Sequence, residues 1–108
     1  MAHTMTQLGQ LRPANTTAAS LYAYVSGEVL VKTVVACNVS SDSAKFRVFH
    51  DDSATTYDET TALYWDVEVP AGHSANIEIN AMMGGGNLAV RTDTNDAFNF
   101  TAYGSVVS

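Results

Sequence analysis

The 108-residue sequence is poor in charge: Asp, Glu, Lys and Arg together make up 15% of it, against roughly 25% in an average soluble domain. Thr, Ser, Asn and Ala fill the places that charged residues usually take. Such a texture is expected where part of the surface is covered by a partner or by copies of the same chain. Positive charge is scarcer still. Five Lys+Arg stand against 11 Asp+Glu, a formal net charge of −6, which speaks against binding a phosphate backbone, because that requires a basic footprint. No apolar stretch approaches the ~20 residues that cross a bilayer as a helix. No basic segment followed by an apolar one opens the chain, so neither a membrane partner nor a secretion signal is expected. One cysteine excludes an internal disulfide. Cys37 lies in the apolar run Val34-Val35-Ala36-Cys37 and reads as a small buried hydrophobe, with no adjacent His or cation to activate a thiolate.

What the sequence does hold is short β-forming runs, rich enough in aromatic and β-branched residues to exclude disorder. The length fits one domain. Residues 1–19 are polar, carry Gly9 and Pro13, and show no apolar period, so they read as an extended N-terminal arm anchored by Leu8 and Leu11. Met1-Ala2-His3-Thr4 precede a second methionine, Met5, and read as a leader. The domain proper is expected over residues 20–108, beginning with the strand Leu21-Tyr22-Ala23-Tyr24-Val25. A long run from Val29 to Asn38 follows, then Lys45 to His50, where Phe46, Val48 and His50 share one face and Arg47 and Phe49 the other. Leu63, Trp65, Val67 and Val69 alternate with Tyr64, Asp66 and Glu68, which predicts that the first set, Trp65 included, faces the core. Beyond the turn at Pro70-Ala71-Gly72-His73, Ala75, Ile77 and Ile79 alternate with Asn76, Glu78 and Asn80 in a partner strand, by hairpin or by sheet crossover. A short strand at Leu88 to Thr92 and a last run from Ala97 to Val107, with Phe98, Phe100, Ala102 and Gly104 on one face, complete the set. About seven strands at roughly 8–12-residue spacing, with no amphipathic helix, predict an all-β antiparallel β-sandwich of immunoglobulin-like or jelly-roll type. A small closed barrel is the alternative, and the lone cysteine leaves no antibody-type Cys…Trp…Cys signature.

Few constellations carry chemistry. The acidic stretch from Asp51 to Glu59 resembles a hard-cation site in composition but matches no calcium-loop spacing, so it reads as a solvated surface loop and no metal is assigned. His50 beside Asp51 has no nucleophile or oxyanion hole in view, and adjacent strand residues point to opposite faces. Three scattered histidines with one cysteine give no zinc spacing. Gly84-Gly85-Gly86 lacks the lysine and helix of a phosphate loop and reads as a turn, with Met82 and Met83 closing one end of the sandwich. Asn15, Asn38 and Asn99 open sequons that read as chance matches in a Thr/Ser/Asn-rich chain. Tyr22, Tyr24, Tyr64 and Tyr103 are expected to point outward, where tyrosine favours interfaces. No catalytic residue and no cofactor are assigned.

A resemblance adds to this reading. Thr6-Gln7-Leu8-Gly9-Gln10-Leu11-Arg12-Pro13-Ala14, then Ala19-Ser20-Leu21-Tyr22, Gly27, Val34-Val35-Ala36-Cys37-Asn38, Ala44-Lys45-Phe46-Arg47-Val48 and the terminal Phe100-Thr101-Ala102-Tyr103-Gly104 are similar to a group of small β-sandwich structural proteins of tailed bacteriophages. The resemblance spans most of the chain, which is one residue shorter than that group after the first strand. It implies a non-enzymatic virion component made in the host cytoplasm. A head decoration, or cement, protein that binds the major capsid protein or another virion protein is expected, with copies of itself as further partners. The arm would pair with a neighbour's sheet edge, and many weak contacts would sum by multivalency. Leu8, Leu11, Arg12, Pro13, Tyr22 and Tyr24 are the expected interface, because Arg12 is the only charged residue before Glu28. The alternative is a tail- or head-associated adhesion or glycan-binding module using exposed tyrosines and the 51–59 loop; a β-sandwich accessory to a hydrolase ranks last.

Overall fold

The apolar alternation is realised as eight strands in the computed structural model, which describes residues 4–25, 27–52 and 56–107. The strands are β1 (Thr4–Leu11), β2 (Ala19–Ala23), β3 (Glu28–Asn38), β4 (Ala44–Asp51), β5 (Ala62–Val69), β6 (Ser74–Met83), β7 (Asn87–Thr92) and β8 (Phe98–Val107). They form two four-stranded sheets, here sheet I, in the order β1-β8-β3-β6, and sheet II, in the order β2-β7-β4-β5. Every pairing is antiparallel. The pairs β1·β8, β2·β7, β3·β6 and β4·β5 are the rungs of one long folded ribbon, and rolling that ribbon brings β8 beside β3 and β7 beside β4. This is jelly-roll connectivity. The immunoglobulin-like order, seven strands split four and three, and the closed barrel are therefore set aside. The step from β5 to β6 is a sheet crossover rather than a hairpin.

The strand beyond the expected seven comes from the N-terminal arm. It is extended, as its sequence suggests, but it lies along its own β8, from Thr4↔Val106 to Leu11↔Phe100, with a bulge between Gln7 and Gly9. Leu8 and Leu11 turn onto the core. An edge strand that, among its described side chains, offers only Leu8 and Leu11 to the interior leaves no periodic trace in the sequence. Met1, Ala2 and His3, expected as part of a leader, Ser26, loop residues 53–55 and the side chains of Met82 and Met83 lie outside the described residues, while Thr4 begins β1.

The sheets meet over Phe46 of β4, whose ring stands edge-on to Phe98 (centroids 5.4 Å, 74°) and Phe100 (5.8 Å, 72°) of β8. Phe98 and Phe100 stack on each other at 5.4 Å. Edge-to-face pairs of this kind add roughly 0.5–1.5 kcal/mol to the area they bury. Val29, Val31, Val34, Val48, Leu88, Val90 and Ala102 complete a dry interior. In β3 the inward set changes from odd to even numbers between Val31 and Val34, because a bulge between Val31 and Thr33 inserts one extra residue. The alternation expected for β6 holds throughout its described side chains, and in β8 Phe98, Phe100, Ala102 and Gly104 are all buried, although Thr101 and Ser105 of the other face are covered too.

One buried polar residue ties the end of the sandwich together. Asn38 is 0% exposed. Its Nδ2 donates to Asp42 O and Val69 O, both at 2.9 Å, and its Oδ1 accepts from Ser40 N (2.9 Å) and Ser40 Oγ (2.7 Å). Its backbone N–H donates to His73 O (2.9 Å), and its carbonyl accepts from Gly72 N (3.0 Å). One side chain thus joins the end of β3, the turn after it and the end of β5. A buried amide so fully satisfied stabilises modestly, but removing it strands its partners, which is the costlier event. Its place in a sequon is thereby explained structurally.

Two predictions follow from these turns and ties. Asn38→Ala is expected to lower unfolding stability by about 2–4 kcal/mol, and Asn38→Asp by at least as much, because a carboxylate would then face the Val69 and Asp42 carbonyls; urea denaturation checks both. Gly72 (φ 74°) stands in open space, whereas a Cβ on Gly86 (φ 66°) would fall 1.8 Å from Asp51 O. Gly72→Ala should therefore cost about 1 kcal/mol of backbone strain, and Gly86→Ala at least about 3 kcal/mol or the fold itself, compared by thermal melts.

Candidate functional site

Most residues expected at an interface are used by the fold. Leu8, Leu11, Tyr22 and Tyr24 are half-buried against the core, and the Tyr24 hydroxyl donates to Gly27 O at 2.7 Å. Pro13 is buried and its carbonyl accepts from Asp96 N at 3.0 Å. Arg12 stays exposed, with Nε donating to Asp96 O at 3.0 Å. β1 and β2, which carry Leu8, Leu11 and Tyr22, come together, while Arg12 and Pro13 meet Asp96 and Tyr24 meets Gly27 and Gly86. Tyr64 also turns inward and its hydroxyl donates to Glu78 O at 2.7 Å. Of the four tyrosines expected outside, only Tyr103, 43% exposed, is open to solvent.

Cys37 corrects another expectation. It is not in the core but half-buried on the outer face of sheet I, because Ala36 and Asn38 take the inward positions on either side. It shares a row with Asn99 and Ser74. The next rows across the sheet are Gln10, Thr101, Val35, Asn76 and then Gln7, Tyr103, Thr33, Glu78. Glu78 is the only charged side chain in these three rows. Outside these rows the same sheet face also carries Glu28 and, at the β3 bulge, Lys32, so charge on it is sparse but not absent.

The outer face of sheet II is its opposite. Three of the five basic residues, Lys45, Arg47 and Arg91, stand on it. Arg47 lies directly across from Arg91, a destabilising like-charge pair that is relieved on both sides. Arg91 Nε donates to Thr16 O at 2.7 Å. Arg47 grips Asp66 with two bonds, Nε to Oδ1 at 2.7 Å and Nη2 to Oδ2 at 3.2 Å. Its Cζ also sits 3.6 Å from the centroid of the Trp65 ring, a cation–π contact worth about 0.5–1 kcal/mol at an exposed site.

Trp65 is on this outer face, 43% exposed, with Leu63 beside it at 45%. The expected inward set of β5 therefore fails for half its length. Between Phe46↔Val67 and Val48↔Tyr64, two steps on β4 face three on β5, and Asp66 takes up the extra residue with φ 52°. The bulge reverses the faces: Val67 and Val69 point in, then Tyr64 points in and Leu63 and Trp65 point out. Nothing in the clean alternation of residues 63–69 signals it. The one visible cue is the Trp65-Asp66 pair itself, whose partner Arg47 is distant in sequence.

The described residues of the 51–59 loop are held by polar contacts with one another, with Thr60 and with the turn after β6. Asp58 Oδ1 accepts from Thr60 N (2.8 Å) and Thr60 Oγ1 (2.5 Å), which keeps its carboxyl below the usual range. Asp52 Oδ1 accepts from Gly84 N at 3.1 Å, and Thr56 N donates to Asp51 Oδ2 at 3.0 Å. No cluster of three or more potential metal ligands occurs among the described residues. His50 Nε2 is buried 3.4 Å from Asp52 Oδ1 without hydrogen-bond alignment, and it belongs to sheet II, away from Cys37 on sheet I.

The Arg47 hydrogen bond, then its charge and those of Lys45 and Arg91, hold the Asp66 carboxyl below its ordinary 3.8. A depressed carboxyl contributes stability that is present above the unfolded value and lost as pH falls through the folded one. Carboxyl NMR is expected to show Asp66 titrating below 3.8 and moving up toward that value in Arg47→Gln, with a correspondingly smaller loss of stability on acidification. No protein-family model and no curated protein matches this chain.

Proposed function

We propose that this protein is a non-enzymatic structural component of a tailed-phage virion, a decoration protein that binds the major capsid protein through the outer face of sheet I. The single observation that carries the reading is the division of charge between the two sheets. A surface built mainly of Thr, Asn, Gln, Ser, Val and Tyr, with Glu28, Lys32 and Glu78 as its charges, has less desolvation to overcome when it packs on a shell than the charged face of sheet II. The charged sheet II is then left toward solvent, and the net charge of −6 keeps the free protein off nucleic acid and limits self-association in solution. The resemblance of the Leu8-Gly9-Gln10, Cys37-Asn38 and Phe46-Arg47-Val48 segments to phage structural proteins supports the same role. Repeated copies on a symmetric shell convert a modest contact into stable occupancy, and contacts between copies follow from the same spacing.

The test has to spare the fold. Removing residues 1–19 would strip β1 from β8 and uncover the core beneath Leu8 and Leu11, so charge insertion is the better probe. Asn76→Glu and Tyr103→Glu are expected to lower occupancy on purified expanded heads at least tenfold in co-sedimentation, with melting temperatures close to the parent. Glu68→Lys on sheet II should bind as the parent does. Equal occupancy for all three variants would sink the proposal.

A further inference from the structure

We infer that the exposed surface around Trp65 is a binding site for a neutral saccharide. The inference does not rest on the capsid reading, since the site lies on the sheet opposite the proposed capsid contact. Trp65 is outside only because of the bulge at Asp66; without it, the alternation would bury the indole beside Val67 and Val69. A non-glycine residue at φ 52° carries backbone strain of about 1–3 kcal/mol, and bulges of this kind re-aim a side chain next to functional sites. The indole is also held still. The Arg47 guanidinium lies 3.6 Å from the ring centroid, Asp66 fixes that guanidinium with two hydrogen bonds, and Phe49 meets the indole at 88° with centroids 6.2 Å apart. A platform immobilised before the ligand arrives pays little ordering entropy on binding.

Glu59 and Ala62 border the same open hollow as Trp65, and Leu63 extends the apolar strip. Pyranose rings match this mixture, with a C–H face that packs on an aromatic surface and a rim of hydroxyls that need partners. The Glu59 carboxylate makes no hydrogen bond among the described residues and is free to accept from hydroxyls. Glu59 is the charged residue that borders the hollow beside Trp65, and a carboxylate at that rim favours neutral over acidic sugars. Two exposed apolar residues ringed by charge are also far smaller than the continuous patch a protein partner needs.

Trp65 is the only tryptophan, so its fluorescence reports on this site alone. Titration with cellohexaose, maltohexaose and an N-acetylglucosamine hexamer is expected to give a saturable emission change with at least one of them, and none with polygalacturonate. Glu59→Ala should weaken that binding at least tenfold without moving the melting temperature. Trp65→Ala, followed by calorimetry, should abolish it, while head occupancy stays at the parental level. Silence with all three neutral sugars, or equal binding by the parent and both variants, would overturn the inference. A Trp65→Ala protein that loses head occupancy although the parent binds no sugar also overturns it, and would make this face a protein contact.

Discussion

Phe46 standing edge-on against Phe98 and Phe100 is the contact on which the rest of the molecule depends. It joins β4 of sheet II to β8 of sheet I at the centre of the sandwich. Strands place successive side chains on opposite faces, so choosing 46 and 98 as inward residues decides the fate of their neighbours. Arg47 must then face outward on sheet II. Asn99, Thr101 and Tyr103 must face outward on sheet I. The two contrasting outer surfaces are thus consequences of one core packing event.

Bulges then revise that rule locally, and the outward surfaces owe their character to them. The extra residue between Val31 and Thr33 lets the long β3 keep an apolar face inward over its whole length although its sequence changes phase midway. The bulge at Asp66 does the reverse: it takes two large apolar residues, Leu63 and Trp65, out of the core and gives their place to Tyr64, whose hydroxyl finds a carbonyl on β6. The strain at Asp66 is offset by its double hydrogen bond to Arg47, and the same guanidinium packs on one face of the indole that the bulge has exposed. A strained backbone, an ion pair and an exposed aromatic are therefore one unit, and Glu59 of the 51–59 loop borders it.

Charge is distributed to match. Lys45, Arg47 and Arg91, with Asp66 and Glu68, belong to sheet II, while the outer face of sheet I carries Glu28, Lys32 and Glu78. A surface that lacks charge is inexpensive to dehydrate but gives little orientation, whereas a surface of fixed ion pairs is costly to dehydrate and selective. The proposed division of labour, a broad structural contact on one sheet and a small recognition site on the other, follows from that difference in hydration.

The sequence by itself determined the all-β class, the turns at Gly72 and Gly86, the alternation of Ala75, Ile77 and Ile79 and of Phe98, Phe100 and Ala102, and the overall shortage of charge, because these depend on local backbone preference and a period of two. Only the tertiary structure decided the jelly-roll order, the capture of Leu8 and Leu11 by β8's neighbourhood, the outward turn of Cys37 and the exposure of Trp65. Each of these hangs on register between strands far apart in the chain. Register is set by how whole faces pack, and one inserted residue reverses a face without changing the pattern of residue types that a reader of the sequence can see.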